Sequence, residues 1–585
     1  MGKFTTRENV IAAPLKGASR LGVAGAKIAQ CLSIGLLLAG CGGGGSGGSS
    51  NSSAAGGSGT PAASGATTGA TAGAALPLPN PAQASRFLAQ ATFGARPQDI
   101  APLTTQGYAA WIQAQMAIPA TSQLALVEAT ANPTYSQNRY AAWWKTTVTG
   151  PDQLRQRVAL ALSEIFVVSD QSSSLGNNGD ALAYYWDLLA NDAFGNYRTL
   201  LEDVTLSPAM GLYLNMLGNQ KPNPARNIHA DENYAREIMQ LMSVGLYQLN
   251  PDGSVVVDAN GVPVPSYSQA DVTDLARVLT GWSWNGTDFF YGNPQDNLSQ
   301  MMAFEAEHDS GAKTIIGGVN VPAGGSARAD LKIALDTLFN HPNTPPFISR
   351  QLIQRLVTSN PSPAYVGRVA QVFVNNGKGV RGDLSAVVSA ILLDDEARSD
   401  TTAALPSFGK RREPLLTVTH LWRALDGHDA SGNLTYSNPV YDLHQGPLSA
   451  PSVFNFFAPS YRPPGVLQQA GLVAPELQLA NASNVTLLHN FYGYAILGRG
   501  TITASTPPTD IMLHLAPWLP LATGSDSSPL IDQLNLVLMS GEMSSAERQS
   551  LISRINTVDN SDGGVKRVLM ATFLIFTSQQ YQTQR

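Results

Sequence analysis

Cysteine is nearly absent from this chain: its 585 residues contain only Cys31 and Cys41. Cys31 falls in a segment read below as a cleaved signal. With Cys41 alone and acylated, a disulfide, a cysteine-bound zinc and a thiol nucleophile are all excluded. Stability must then come from burial, and a chain of this length buries most of its apolar surface. Long apolar runs are missing too, and the run at 34–38 is too short to span a bilayer. Clusters of basic residues are also missing, and the net charge is −6. That balance argues against a nucleic-acid partner and against electrostatic membrane attachment. The folded part has no Gly-x-Ser-x-Gly, phosphate loop or dinucleotide fingerprint, which disfavours elbow-type hydrolase, nucleotide and nicotinamide chemistry. No period of 20 to 50 residues repeats.

What is present begins with an address. Lys16, Arg20 and Lys27 precede the apolar run, which closes on Leu38-Ala39-Gly40-Cys41. Basic residues, an apolar stretch, small residues and then cysteine make a secretory signal with a lipobox. Small residues admit the peptidase, and the Cys41 thiol takes the diacylglycerol. Residues 1–40 are thus a lipoprotein signal peptide. Removing its five basic residues and one acid leaves the remainder at −10, four units more negative than the whole. Gly42, rather than Asp, follows the cysteine. By resemblance to the sorting rule of two-membrane bacteria, this favours the outer membrane, facing the periplasm or beyond. Palmitate and its companion acyl chains would make the anchoring stable.

Residues 41–80 form the lipidated cysteine and a tether. From 42 to 75 the chain is Gly, Ser, Ala and Thr apart from Asn51 and Pro61, with no aromatic and no charge. It has nothing to bury, and it reaches on the order of 30 Å. Prolines at 77, 79 and 81 then stiffen the chain and open the folded part, 81–585. There the period is helical. One-face stripes predict helices at 86–94, 153–168, 181–190, 197–206, 232–246, 269–279, 328–339, 347–356, 364–375, 384–393, 413–425 and 546–557. Alternation with Gly-containing turns predicts small hairpins at 254–264 and 313–321. The fold class is mainly α: one large multi-helical domain, one or two small β-hairpins, and long irregular loops near 285–325 and 427–480.

The densest block is Asp231-Glu232-Asn233-Tyr234-Ala235-Arg236-Glu237-Ile238-Met239-Gln240-Leu241. Tyr234, Ile238, Leu241, Met242 and Gly245 share one face. Asn233 and Glu237, four apart, sit side by side on its shoulder. A carboxylate at a buried edge beside an amide suits a general acid; the same Glu237 equally suits an ion pair with an arginine of another helix. Ser268 to Asp271 is a capping box, which makes Asp271 a cap, with Asp274 and Arg277 off the core stripe. Adjacent His308 and Asp309 sit in a loop, where binding residues concentrate. They suit a base with its orienter, or two metal ligands, though their spacing matches no zinc signature. Aromatic loops follow at Trp282 and Trp284 and at Phe454 to Tyr461, the second stiffened by proline. They suit a stacking platform for sugar or peptide, or a staple between helical lobes.

The 231–241 block resembles the hallmark Asn-Glu-Asn-Tyr-Ala-Arg-Glu-Leu-Met-Glu-Leu of a bacterial family of exported proteins, domain of unknown function 1800. Asp231 and Gln240 are its small departures. Asp271 to Trp282 is similar to the family's second signature, and His308-Asp309 with Lys313-Thr314-Ile315-Ile316-Gly317 to its third. The pattern closes with 347–352 and Arg412-Glu413-Pro414, and spans roughly 83 to 580. The resemblance implies an exported protein, often encoded beside a second exported family with an alkaline-phosphatase-like fold. That neighbour is the implied partner. It implies no reaction. Two readings stay open. In one, the protein is a lipid-anchored module that binds an exported partner or polymer through Asn233, Trp282, Trp284, Phe454 and Tyr461. In the other, it is an envelope hydrolase-type enzyme in which Glu237, Asp274, His308 and Asp309 meet in one cleft. That enzyme would use acid–base chemistry or a divalent metal.

Overall fold

Alanine- and leucine-rich stripes capped by Ser, Asn and Asp dominate the chain after Asn80, and they form helices. A computed structural model describes residues 76–498 and 511–585. Cys41, the signal at 1–40 and the tether up to residue 75 lie outside the described residues. Among those described are twenty-four α-helices and three two-stranded antiparallel sheets. The fold is mainly α, as the periodicity predicts. Among the described residues no helix is long and apolar enough to cross a membrane.

The first helix, Pro81–Ala91, shows how local signals act. Asn80 and Gln83 cap it reciprocally, and Pro81 sits where no amide partner is needed. Its buried face meets the helices Gln153–Ser163, Leu384–Leu393 and Ser528–Met539. Around it runs one continuous apolar core. Trp143 packs edge-on against Trp144 and Trp186, and Trp144 against Trp422, with ring centres 4.7, 6.0 and 4.9 Å apart. Such edge-to-face pairs add to burial.

Helices at Tyr197–Leu206 and Leu384–Leu393 coincide with their predicted spans. The signature helix is shorter, Asn233–Gln240. Its end has a visible cause. The Ser243 hydroxyl donates to the Ile238 carbonyl, and the amides of Val244 and Gly245 both donate to Met239. Gly245 then reverses the chain at φ 75°, where a β-carbon would stand 2.8 Å from the Phe347 ring. The hairpin at 313–321 forms in register, Lys313 opposite Val321. The stretch 254–264 forms isolated bridges, Val257 with Pro263 and Leu249 with Val255. Pro263 and Pro265 lack the donors a ladder needs. Two further sheets, Trp282–Ser283 with Met302–Ala303 and Lys410–Arg411 with Thr583–Gln584, join segments far apart in sequence.

Candidate functional site

The signature helix Asn233–Gln240 and the capped helix Gln269–Val278 pack side by side. Glu232 bridges them. Its carboxylate accepts from Arg236 at 2.9 Å, Gln269 at 2.8 Å and Thr273 at 2.8 Å. Asp231 accepts from the Asn233 amide, capping the first turn, and Asp271 completes the expected capping box. The Tyr234 hydroxyl meets that of Thr205 at 2.7 Å. Glu237 differs from its neighbours. It is 6 % exposed, and its Oε2 is buried without a hydrogen-bond partner. No arginine pairs with it among the described residues, since Arg236 turns to Glu232. Burial pushes its carboxyl above the usual glutamate range, with Arg236 only partly opposing. Glu237 in turn adds to the upward shift of the nearby phenols Tyr213 and Tyr267.

Asp274, His308 and Asp309 do come together, around Arg277 and Thr280. Arg277 donates to Asp309 at 2.7 Å and to Asp274 at 3.0 Å. Asp274 also accepts from the Thr314 amide, tying the helix to the hairpin. The Asp309 carboxyl lies below the usual aspartate range: burial raises it, but Arg277 and the Gly311 amide outweigh that. His308 points the other way, into the core. Its Nδ1 faces the Thr280 carbonyl at 3.0 Å and its Nε2 faces Asp330 at 3.2 Å, while Lys313 donates to the same Asp330 oxygen at 2.6 Å. An ammonium so close occupies the place a metal would need. Gly281 permits this approach, because a β-carbon there would stand 2.9 Å from the His308 backbone nitrogen. Glu237 makes no bond to this group.

The aromatic candidates separate by environment. Trp282 is fully buried with Arg328 over its ring at 5.2 Å. Trp284 is buried and donates to Asn297 at 2.8 Å. Phe454 is exposed and Tyr461 half-buried. Neither lines the largest cleft among those characterised. That cleft, about 650 Å³, is framed by Trp422, Tyr436 and Phe491, with Asn438, Asp442 and Asn490 at its edges. Tyr436 lies between the other two rings, edge-on to Trp422 at 5.7 Å and tilted against Phe491 at 5.4 Å, and donates to Asp442 at 2.8 Å. Sequence reading passed over it because its walls come from a helix end, an irregular loop and the helix Ala482–Tyr492.

A second group also escaped the sequence reading. Glu164, Glu413, Glu476, Arg157, Arg355 and Lys410 are all buried. Lys410 holds Glu476 at 3.0 Å and Glu413 at 3.2 Å, and donates to the Arg355 carbonyl. Burial opposes ionisation of Glu413, but Lys410 and its other partners bring it to about 2. Glu164 is driven well up by burial and by Glu413 beside it. The adjoining cavity, under the loop that includes Leu448 and Asn455, has room for about one water molecule. The cluster therefore joins elements rather than receiving a substrate. The available signal was the Arg412-Glu413-Pro414 string.

Residues 86–583 match the family described as "Protein of unknown function (DUF1800)". The chain belongs to that family. No curated protein and no solved structure matches it. Within the DUF1800 span, Asp231, Glu232, Tyr234 and Arg236 of the hallmark string have structural partners, whereas Glu237 Oε2 has none among the described residues.

Proposed function

We propose that this DUF1800 protein is a lipid-anchored cell-envelope protein whose helical domain binds an envelope polymer in the Trp422–Tyr436–Phe491 cleft. The observation that carries the reading is the composition of that cleft: aromatic rings beside amides and one carboxylate. Rings pack on the apolar face of a sugar, and amide and carboxylate groups bond its hydroxyls. The lipobox at Cys41 supports attachment to the outer membrane, on its periplasmic face or outside. The absence of basic runs supports a partner other than nucleic acid. An exported alkaline-phosphatase-like neighbour would act on the same material. Co-sedimentation of the full-length protein in detergent with purified peptidoglycan tests this. Wild type should pellet with the polymer, and Asn490→Ala with Phe491→Ala should weaken binding by about tenfold, or 1.4 kcal/mol. Failure of wild type to pellet, or equal pelleting of the double variant, overturns the proposal.

A second reading, an acid–base hydrolase, is favoured by one observation: the unpaired, buried Glu237 carboxyl beside Tyr213 and Tyr267. A carboxyl raised above the usual glutamate range by burial is suited to donate to a leaving group. Asp274 and Asp309 give this reading no support, because Arg277 engages both.

A further inference from the structure

His428 and His514 lie eighty-six positions apart in the chain, yet their rings stack with centres 3.7 Å apart and planes 14° apart. Backbone pairing brings them together. Residues His428 and Met512 exchange both amide hydrogen bonds, and the His514 amide donates to the Leu425 carbonyl. Each imidazole is also held by its inner nitrogen. His428 Nδ1 faces the Asp429 carbonyl at 2.8 Å, and His514 Nδ1 faces the Asp426 carbonyl at 2.7 Å. A carbonyl only accepts, so both Nδ1 atoms carry hydrogen, and in the neutral ring each Nε2 presents a lone pair. Among the described residues neither Nε2 makes a hydrogen bond. An Nδ1–H held by a backbone carbonyl is the usual outer support of a metal-binding histidine.

The third ligand is Asp426, whose left-handed backbone, φ 49°, lies at the end of the Pro414–Ala424 helix. Its Oδ2 stands 3.9 Å from His428 Nε2, too far for a hydrogen bond. Ligand atoms of all three residues lie within 4.8 Å of one another. Tetrahedral zinc with bonds of about 2.0–2.1 Å separates its ligands by roughly 3.4 Å, so binding needs a contraction of the set and a turn of the stacked rings out of their near-parallel planes, which brings both Nε2 lone pairs onto one ion. We propose that Asp426, His428 and His514 form a binding site for one divalent transition-metal ion of the zinc class. Two imidazoles and one carboxylate select zinc, cobalt, nickel or copper over magnesium and calcium. Three protein ligands at a partly exposed position leave the fourth open to water or to a ligand. The ion would clamp 426–428 to 512–514. Ile511 lines the aromatic cleft and Gly427 backs Trp422, so the clamp borders that cleft. It stands independently of what the cleft binds.

Cobalt is the probe. Full-length protein, purified in detergent without an affinity tag and stripped with a chelator, should take up one Co²⁺ per chain. It should show the intense visible absorption of a tetrahedral site, and Zn²⁺ but not Mg²⁺ should displace the ion. His428→Gln and His514→Gln should each weaken uptake at least about tenfold, since removing even an outer support costs that much. Absence of stoichiometric uptake by wild type, or unchanged uptake in the double variant, overturns the proposal. Should the variants fail to fold, the Cu²⁺ electron paramagnetic spectrum of wild type decides: coupling to two imidazole nitrogens supports the site, and fewer than two overturns it.

Discussion

Glu237 concentrates the question of what the signature helix does. It carries a carboxylate into a buried position without an arginine, so replacing it with a neutral isostere removes a cost. Glu237→Gln should leave the domain as stable as wild type or more stable near neutral pH. The sign follows from its raised pKa. Below the ordinary glutamate value of 4.5 the carboxyl is protonated in both states, and the variant should gain nothing. Its advantage should grow as pH rises through the folded value. Urea denaturation of both proteins across that range checks this; a clear loss of stability at neutral pH would show that the carboxylate has a partner. At this scale the sequence was partly legible. Periodicity located Glu237 beside Asn233 at a buried edge, but the alternatives of ion pair and free acid depended on where Arg236 points, and spacing does not encode that. His308 was similarly ambiguous, because its partners Asp330 and Lys313 come from other segments.

Helices with one apolar stripe and a cap, such as Tyr197–Leu206 and Leu384–Leu393, were readable to the residue. Those with apolar residues all round were not. Val565–Phe576 buries a broad arc of its circumference, from Arg567 to Phe576, so no narrow stripe stands out. Pro97–Gln106 contains Pro102, which reads as a breaker. The buried Lys410 cluster joins such elements through charge. Lys410→Met would strand Glu413 and Glu476 without their cation and should destabilise the domain by about 3–5 kcal/mol, measured by chemical denaturation. In wild type, Glu413 has a folded value near 2, below its ordinary 4.5. Its contribution should be complete above pH 4.5 and lost as pH falls toward 2. The variant should lack that part of the acid transition.

For the whole molecule, the anchoring proposal makes a separable claim. Cys41→Ser should move the protein from the membrane fraction to the soluble one without changing its melting temperature, because the sequence 42–75 offers no large apolar side chain for a core. Continued membrane association would reveal another anchor. Fold class and family were visible in the chain, since both rest on local pattern. The cleft and the histidine pair were not, since each is assembled from segments distant in sequence. The same long-range closure appears where the strand Thr583–Gln584 seals the Lys410 cluster. Gln584 donates to the Leu356 carbonyl, the Gln582 carbonyl receives the Arg412 amide, and Ser85 reaches Val537. The first helix and the charged centre are therefore each completed by partners distant in sequence, 452 and 228 positions away. A chain with so much non-local pairing folds slowly. On the proposed export route, a domain whose centre is completed by partners so distant in sequence would stay open during passage across a membrane.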